Sequence, residues 1–219
     1  MDIDSFRAEA HRLVDRMADY LQTVEDRPVR ARTRPGAVAA MLPASPPEAG
    51  ESMRAILDDV ERIVVPGLTH WQHPRFMAYF ATSSPPPAIA AEIVAATLNQ
   101  VAILWRASPL ATELEAVTVG WLAELLGLPA AWHGHIEDTA STSTLAALAA
   151  ARTATGRSTV VCSEHAHSSV VKATRLLGMG LRTAAVDAAF RMRPDEVARH
   201  LATGDVAAVV ATVGTTSTT

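Results

Sequence analysis

The sequence of 219 residues contains a single cysteine and a single lysine. Cys162 has no partner for an intramolecular disulfide, which predicts a reducing compartment, and we expect a cytoplasmic protein. Lys172 is the only lysine, so any reaction that requires a lysine has one candidate among these residues.

Charge and long apolar runs are also scarce. Charged residues make up 19% of the chain, and the formal net charge of −4 comes without a basic stripe, which argues against nucleic acid as a partner. The N-terminus is acidic and no apolar run follows it, so we expect no signal peptide. The longest apolar stretch, residues 85–105, is interrupted by Glu92, Asn99 and Gln100, so we expect no membrane span. A hydrophobic fraction of 49% instead indicates a globular protein with a sizeable core.

The first 127 residues carry the periodicity of amphipathic helices. Helices are predicted over residues 5–25, 52–65, 87–104 and 109–127, and a proline-rich connector covers residues 27–50. Asp4 or Ser5 is the expected N-cap of the first helix, while Ser108 precedes Pro109 at the start of the fourth. The third and fourth helices have so much apolar surface that we expect one face to meet another domain or subunit.

From about residue 132 the pattern changes to short β-rich runs that alternate with helical runs. The predicted strands are residues 159–162, 181–186 and 206–213, and the helices between and before them are residues 141–155, 168–177 and 194–202. Such alternation is typical of βαβ units, so the sequence predicts an α/β fold with a parallel sheet.

Small hydroxylated residues, 139–144, lie directly ahead of the helix at 145–152. A helix N-terminus offers free backbone N–H groups and the positive end of the dipole, which suits a phosphate. The same residues would also form an ordinary N-cap, and this segment alone does not decide between the two.

A second polar segment, residues 164–169, follows the strand that ends at Cys162, and ligands of α/β folds bind at that end of a strand. His167 in this segment could stack on a ring or move a proton, or it could be a solvated loop histidine. A metal site built from Cys162, His165 and His167 would match no familiar zinc spacing, so we expect no metal. An aromatic segment, residues 69–80, and the loop at residues 214–216 are also suggestive but not specific.

Taken together, these segments resemble the pyridoxal-phosphate-dependent group II decarboxylases, and most of all the aromatic-L-amino-acid decarboxylases. The resemblance runs along the whole chain in order. The residues that carry it are Asp19-Tyr20-Leu21, Pro66-Gly67-Leu68-Thr69-His70-Trp71, Phe76-Met77-Ala78-Tyr79-Phe80-Ala81-Thr82, Trp105-Arg106-Ala107-Ser108-Pro109, Thr112-Glu113-Leu114-Glu115, Thr144-Leu145, Ala149-Ala150-Ala151-Arg152, Ala166-His167-Ser168-Ser169 and Ala211-Thr212-Val213-Gly214-Thr215-Thr216.

The resemblance implies a fold-type I, PLP-dependent transferase-like architecture that decarboxylates an L-amino acid, with an aromatic substrate favoured. It divides the chain into an N-terminal helical dimerisation segment, residues 1–84, and the first part of the PLP-binding large domain, residues 85–219. It also implies a homodimer with a small-molecule substrate and pyridoxal 5′-phosphate as cofactor. The implied cofactor-binding residues are Thr139, Ala140, Ser141, His167 and Thr216, the implied substrate-binding residues are Tyr79, Phe80, Thr82 and Ile103, and His167 is the implied catalytic residue.

The sequence departs from the family pattern in three respects. Asp138 stands where many relatives have glycine, and its carboxylate should weaken phosphate binding unless it caps the helix or points away. Ile103 replaces a position that is often aromatic in the animal enzymes. The family's pyridinium-pairing aspartate and its cofactor-binding lysine lie beyond residue 219 in the family pattern, and Lys172 is not at that lysine's position, so we expect residues 1–219 alone to be inactive.

Other interpretations remain open at this stage. The chain could be a truncated, catalytically dead remnant that only dimerises, or it could belong to an aldehyde-forming or acidic-amino-acid-specific relative. Another transaminase-like enzyme is a weaker alternative, because residues 69–80 match the decarboxylases specifically.

Overall fold

The computed structural model describes residues 1–79, 82–215 and 218, which form two compact units, Met1–Val94 and Ala95–Thr219. The helices are α1 (Ile3–Thr23), α2 (Met53–Asp59), α3 (Pro86–Leu98), α4 (Pro109–Leu125), α5 (Ala140–Thr155), α6 (Ser168–Leu176) and α7 (Pro194–Leu201). The strands are β1 (Thr159–Ser163), β2 (Gly180–Ala184) and β3 (Val206–Val210). No helix within the described ranges is both long and apolar enough to cross a membrane.

Helix α1 confirms the first predicted helix, but its N-cap is different from the prediction. The carboxylate of Asp2 accepts a hydrogen bond from the backbone N–H of Ser5 at 2.8 Å, so neither Asp4 nor Ser5 is the cap. The Tyr20 hydroxyl, near the other end of α1, lies 2.9 Å from Nδ1 of the buried His70. Burial, with smaller contributions from Arg27 and His73, lowers the pKa of His70. The contact between Tyr20 and His70 joins residues 69–73 to α1.

The second and third predicted helices are shorter than the sequence indicates. Helix α2 begins after its N-cap Ser52, becomes a π-turn over Val60–Val64, and is followed by a 3₁₀ turn over Val65–Gly67. Helix α3 ends at Leu98 rather than Leu104, because Asn99 adopts a left-handed backbone conformation with φ of +45°. Asparagine tolerates this conformation better than other side chains, and it therefore ends helices.

The second unit contains a three-stranded parallel sheet in the order β2-β1-β3. The central strand β1 is buried along its whole length. One face carries the larger core cluster, which includes Leu148 of α5, Val160 and Cys162 of β1, and Val170 of α6. The other face carries a smaller cluster in which Val161 of β1 packs near Val197 of α7. The predicted βαβ alternation and the α/β class are confirmed.

A polar network joins the three strands at their amino ends. Arg182 of β2 donates two hydrogen bonds to the carboxylate of Asp205, and Thr203 and Thr159 donate one each. These hydrogen bonds, that of Arg182 first, lower the pKa of Asp205 well below its usual range. Because the pKa is lower in the folded chain than in the unfolded chain, Asp205 contributes stability above about pH 4, and this contribution decreases as the pH falls further.

We therefore expect Asp205→Asn to lower the thermal unfolding temperature at pH 7, and we expect the deficit to narrow as the pH falls from 5 toward 2. Thermal unfolding followed by circular dichroism at each pH measures this. Asp59→Asn, which removes the exposed ion pair with Arg62, is the matched control and should change much less. A deficit for Asp205→Asn that stays constant across this pH range would contradict the assignment.

Candidate active site

The N-terminus of α5 is closed by a capping box. The Thr139 hydroxyl accepts the backbone N–H of Thr142, and the Thr142 hydroxyl accepts the backbone N–H of Thr139, both at 3.2 Å. Within the described part of the chain, the N–H groups of Ala140 and Ser141 have no acceptor, and both residues are exposed. The start of this 16-residue helix therefore offers two free amide donors, the Ser141 hydroxyl and the positive end of the dipole.

The additional carboxylate of Asp138 is part of this helix start. Its Oδ1 accepts a hydrogen bond from the Thr142 hydroxyl, one turn into α5. The contact is made to a side-chain hydroxyl, and Thr139 is the N-cap, so Asp138 bonds to the first turn without capping the helix. Asp138 is thus engaged by the first turn.

The N-termini of α5 and α6 lie at the same edge of the sheet. Helix α5 ends just before β1 begins, and α6 begins just after β1 ends, so both helices run opposite to the strand. The hydrogen bond from the Arg152 guanidinium to the carbonyl of Leu177, at 2.7 Å, joins the C-terminal ends of the two helices. Their N-termini consequently lie toward the carboxyl end of β1, where α/β folds bind ligands.

A cavity of about 430 Å³ lies at this edge. Its walls are Ser163 at the end of β1, residues 189–192 and residues 212–215 with Thr218. Thr215 is buried, and its hydroxyl lies 2.8 Å from the Thr218 hydroxyl. Phe190, which has a φ of +60°, packs its ring edge against His165 at a centroid distance of 5.6 Å. The cavity at this edge is therefore lined by polar groups and by the aromatic ring of Phe190.

His167 is the N-cap of α6. Its Nδ1 accepts the backbone N–H of Ser169 at 3.2 Å and lies 3.0 Å from the Ser169 hydroxyl. The residue is exposed, so the rest of the ring is accessible from this edge. Lys172 is exposed within α6, and Cys162 is buried in the core, where burial raises the pKa of the thiol. Neither residue is placed as a nucleophile at this edge.

The predicted substrate residues are distributed over the two units. Tyr79 belongs to the first unit, where it stacks on Trp71 at 5.6 Å and has a φ of +57°. Thr82 is exposed in the same unit. Ile103 belongs to the second unit and its exposed fraction is 81%. The predicted Phe80 and Thr216 lie outside the described residues.

The chain matches the model of a known protein family over most of its length. The Pyridoxal-dependent decarboxylase conserved domain matches residues 35–219. The chain belongs to this family. Family membership confirms the resemblance that the sequence motifs indicated.

Relatives within the pyridoxal-dependent decarboxylase family match nearly the full chain. Aromatic-L-amino-acid decarboxylase of Bos taurus is 36% identical over an alignment of 247 positions. This alignment covers 99% of this chain and 51% of the relative. The crystal structure of Oryza sativa TDC with PLP and tryptamine has a TM-score of 0.90 at 31% identity and covers 99% of this chain and 52% of its own. That of Rhodiola rosea 4-hydroxyphenylacetaldehyde synthase has the same TM-score and coverage at 33% identity. The chain therefore spans about half the length of the curated relatives it matches, and these structures confirm the fold-type expectation.

Two residues at this edge did not emerge as individual site residues from the sequence. Ser169 belongs to the motif at residues 166–169, but the motif does not indicate a role for it. Only the orientation of the His167 ring reveals that Ser169 contacts Nδ1. Phe190 carried no signal at all, because nothing in the sequence indicates its left-handed backbone. A conformational outlier of this kind is visible only in the structure.

Proposed function

We propose that this chain forms part of a PLP-dependent enzyme that converts an aromatic L-amino acid to the corresponding amine and CO₂. The observation that carries the proposal is a pair of helix N-termini at one edge of the sheet, in a chain that belongs to this family. One N-terminus has free N–H donors that suit a phosphate, and the other is capped by His167. The bovine relative and the rice structure with tryptamine support an aromatic substrate.

The residues at the start of α5 fit the phosphate of pyridoxal 5′-phosphate. Two free amide N–H groups, the Ser141 hydroxyl and the helix dipole all favour an anion, and the Asp138 carboxylate is engaged by Thr142. Thr139, Ala140 and Ser141 would hold the phosphate, with the Thr139 hydroxyl also maintaining the cap. When bound, the cofactor supplies a ring that accepts the electrons released as the carboxylate leaves.

His167 has two tasks in this proposal. Its ring would cover one face of the pyridine, and its free nitrogen would donate a hydrogen bond to the substrate carboxylate. Holding that carboxylate fixes the orientation of the bond that breaks, which is the positioning contribution to the rate. An imidazole can both accept and donate a proton, so His167 can also assist the later proton transfer.

The remaining predicted residues keep their proposed roles. Thr216 keeps its predicted cofactor-binding role, and the predicted substrate-binding role is kept by Tyr79, Phe80, Thr82 and Ile103. The division at residue 84/85 also remains part of the proposal, as does a cytoplasmic location, which the single buried cysteine supports.

The proposal includes a homodimer. Helices α3 and α4, which both lie wholly within the described ranges, contain no buried residue. Their exposed side chains include Val94, Leu98, Leu114, Trp121 and Leu125. Apolar surface of this extent requires a partner surface to cover it, and a second copy of the chain is the proposed partner.

An amino-acid panel tests the function in the protein isolated from its natural source. We expect PLP-dependent release of equimolar CO₂ and amine from L-tryptophan, L-tyrosine or L-phenylalanine, and little release from L-glutamate, as measured by mass spectrometry of the products. Release of the aldehyde instead of the amine would favour the alternative that the Rhodiola rosea structure supports. Absence of any turnover would favour the catalytically dead remnant.

His167→Asn is the matching residue test. Asparagine is a strong N-cap and keeps an acceptor near the position of Nδ1, so α6 should remain capped. It removes the second ring nitrogen, and we expect kcat/KM for amine formation to fall by about 10²- to 10⁴-fold. Turnover within a few-fold of the unmodified protein would remove His167 from the proposed mechanism.

A further inference from the structure

Ser169 contacts Nδ1 of His167 with two different atoms. Ser169 is the second residue of α6 and only 6% of its surface is exposed. Its backbone N–H lies 3.2 Å and its hydroxyl oxygen 3.0 Å from Nδ1 of His167. Both donors belong to a residue that the surrounding core holds in place.

We infer that Ser169 is a positioning residue that fixes the neutral His167 ring in the tautomer with its proton on Nε2. A backbone N–H can only donate, so Nδ1 must present its lone pair to Ser169. A neutral imidazole carries one proton, which must then be on Nε2. With Nδ1 an acceptor, the Ser169 hydroxyl acts as a second donor to the same nitrogen.

As a consequence, the neutral His167 ring presents its N–H donor at Nε2. Nε2 is the ring nitrogen that the helix cap does not use, and His167 is exposed. The N–H is therefore on the ring nitrogen that the described contacts with Ser169 leave available to a ligand. The meaning of this for catalysis rests on the proposed function, in which this N–H donates to the substrate carboxylate. The tautomer itself depends only on contacts within α6.

The neighbouring serine provides a matched control. Ser168 is the first residue of α6 and is exposed, and within the described contacts its hydroxyl makes no hydrogen bond to His167. Ser168→Ala and Ser169→Ala therefore make the same chemical change at adjacent positions. Only the second change removes a donor from Nδ1.

Long-range ¹H–¹⁵N correlation spectra of the ¹⁵N-histidine-labelled chain, at a pH where the ring is neutral, report the tautomer directly. The His167 signals are assigned by their loss in His167→Asn. We expect the Nε2–H tautomer in the unmodified chain and in Ser168→Ala. Ser169→Ala should shift the tautomer ratio about fivefold toward Nδ1–H, the change produced by losing one ordinary hydrogen bond, and Ser169→Thr should restore it.

Two results would overturn the inference. One is an Nδ1–H tautomer in the unmodified chain, and the other is an unchanged tautomer ratio in a Ser169→Ala chain whose circular dichroism spectrum is native. Because the spectra need neither cofactor nor substrate, they separate this inference from the proposed function. The expected tautomer shift in a protein that decarboxylates no amino acid would contradict the function alone. In an active enzyme, Ser169→Ala should lower kcat more than it changes KM, and Ser169→Thr should recover kcat.

Discussion

Replacement of Ser141 by aspartate is expected to weaken binding of pyridoxamine 5′-phosphate by about 10- to 100-fold, the range expected when a hydrogen bond to a charged group is lost. The new carboxylate would occupy the free donor site at the start of α5 and repel the phosphate. An acidic residue in the first turn of a helix is favourable, so the thermal unfolding temperature should not fall. Isothermal titration calorimetry measures the affinity, and this ligand is suitable because its amine requires no lysine to bind.

The control for this experiment is Ser158→Asp. Ser158 is exposed between α5 and β1, at the opposite edge of the sheet, so the same carboxylate there should leave the affinity unchanged. Pyridoxamine without the phosphate should bind weakly to every variant. Equal affinities of Ser141→Asp and the unmodified chain would show that the phosphate does not bind at the start of α5.

Leu148→Ala is expected to produce the largest loss of stability among single substitutions in the second unit. Leu148 is 4% exposed and joins α5 to Val160 and Cys162 of the central strand. Removing its branched side chain leaves a cavity in a packed cluster, which costs about 2–5 kcal/mol in the free energy of unfolding. Urea unfolding followed by circular dichroism measures this change at the transition of the α/β unit.

Leu176→Ala makes the same chemical change at the last position of α6, where the side chain is 76% exposed. Its free energy of unfolding should change by about 0.5 kcal/mol or less. Similar losses for the two variants would mean that the larger core cluster does not hold α5 on the sheet.

The sequence was sufficient to predict the α/β unit because its signals are local and consistent. Short β-rich runs alternate with helical runs, Pro109 follows Ser108, and each element has the expected side-chain pattern. The ends of helices were harder to predict, because they depend on a single backbone conformation. The apolar residues after Asn99 continue the helical pattern, yet the left-handed conformation of that asparagine ends α3 six residues early.

The candidate site was likewise predictable only in part. The helix N-terminus before residue 145 and the position of His167 after a strand were predictable, because both follow from element order. The contact of Asp138 with Thr142 was not predictable, since a carboxylate before a helix can either bond to the first turn or repel a ligand. The two contacts between Ser169 and His167 depend on the rotation of one ring about its side-chain bonds. No spacing in the sequence encodes that rotation.

The position of Lys172 on the exposed side of α6 has a practical consequence for labelling. Lys172 is the one lysine among residues 1–219, so an amine-reactive dye has a single lysine side chain to label in this segment. Lysine-directed labelling therefore places a reporter five residues after His167 without any engineered cysteine.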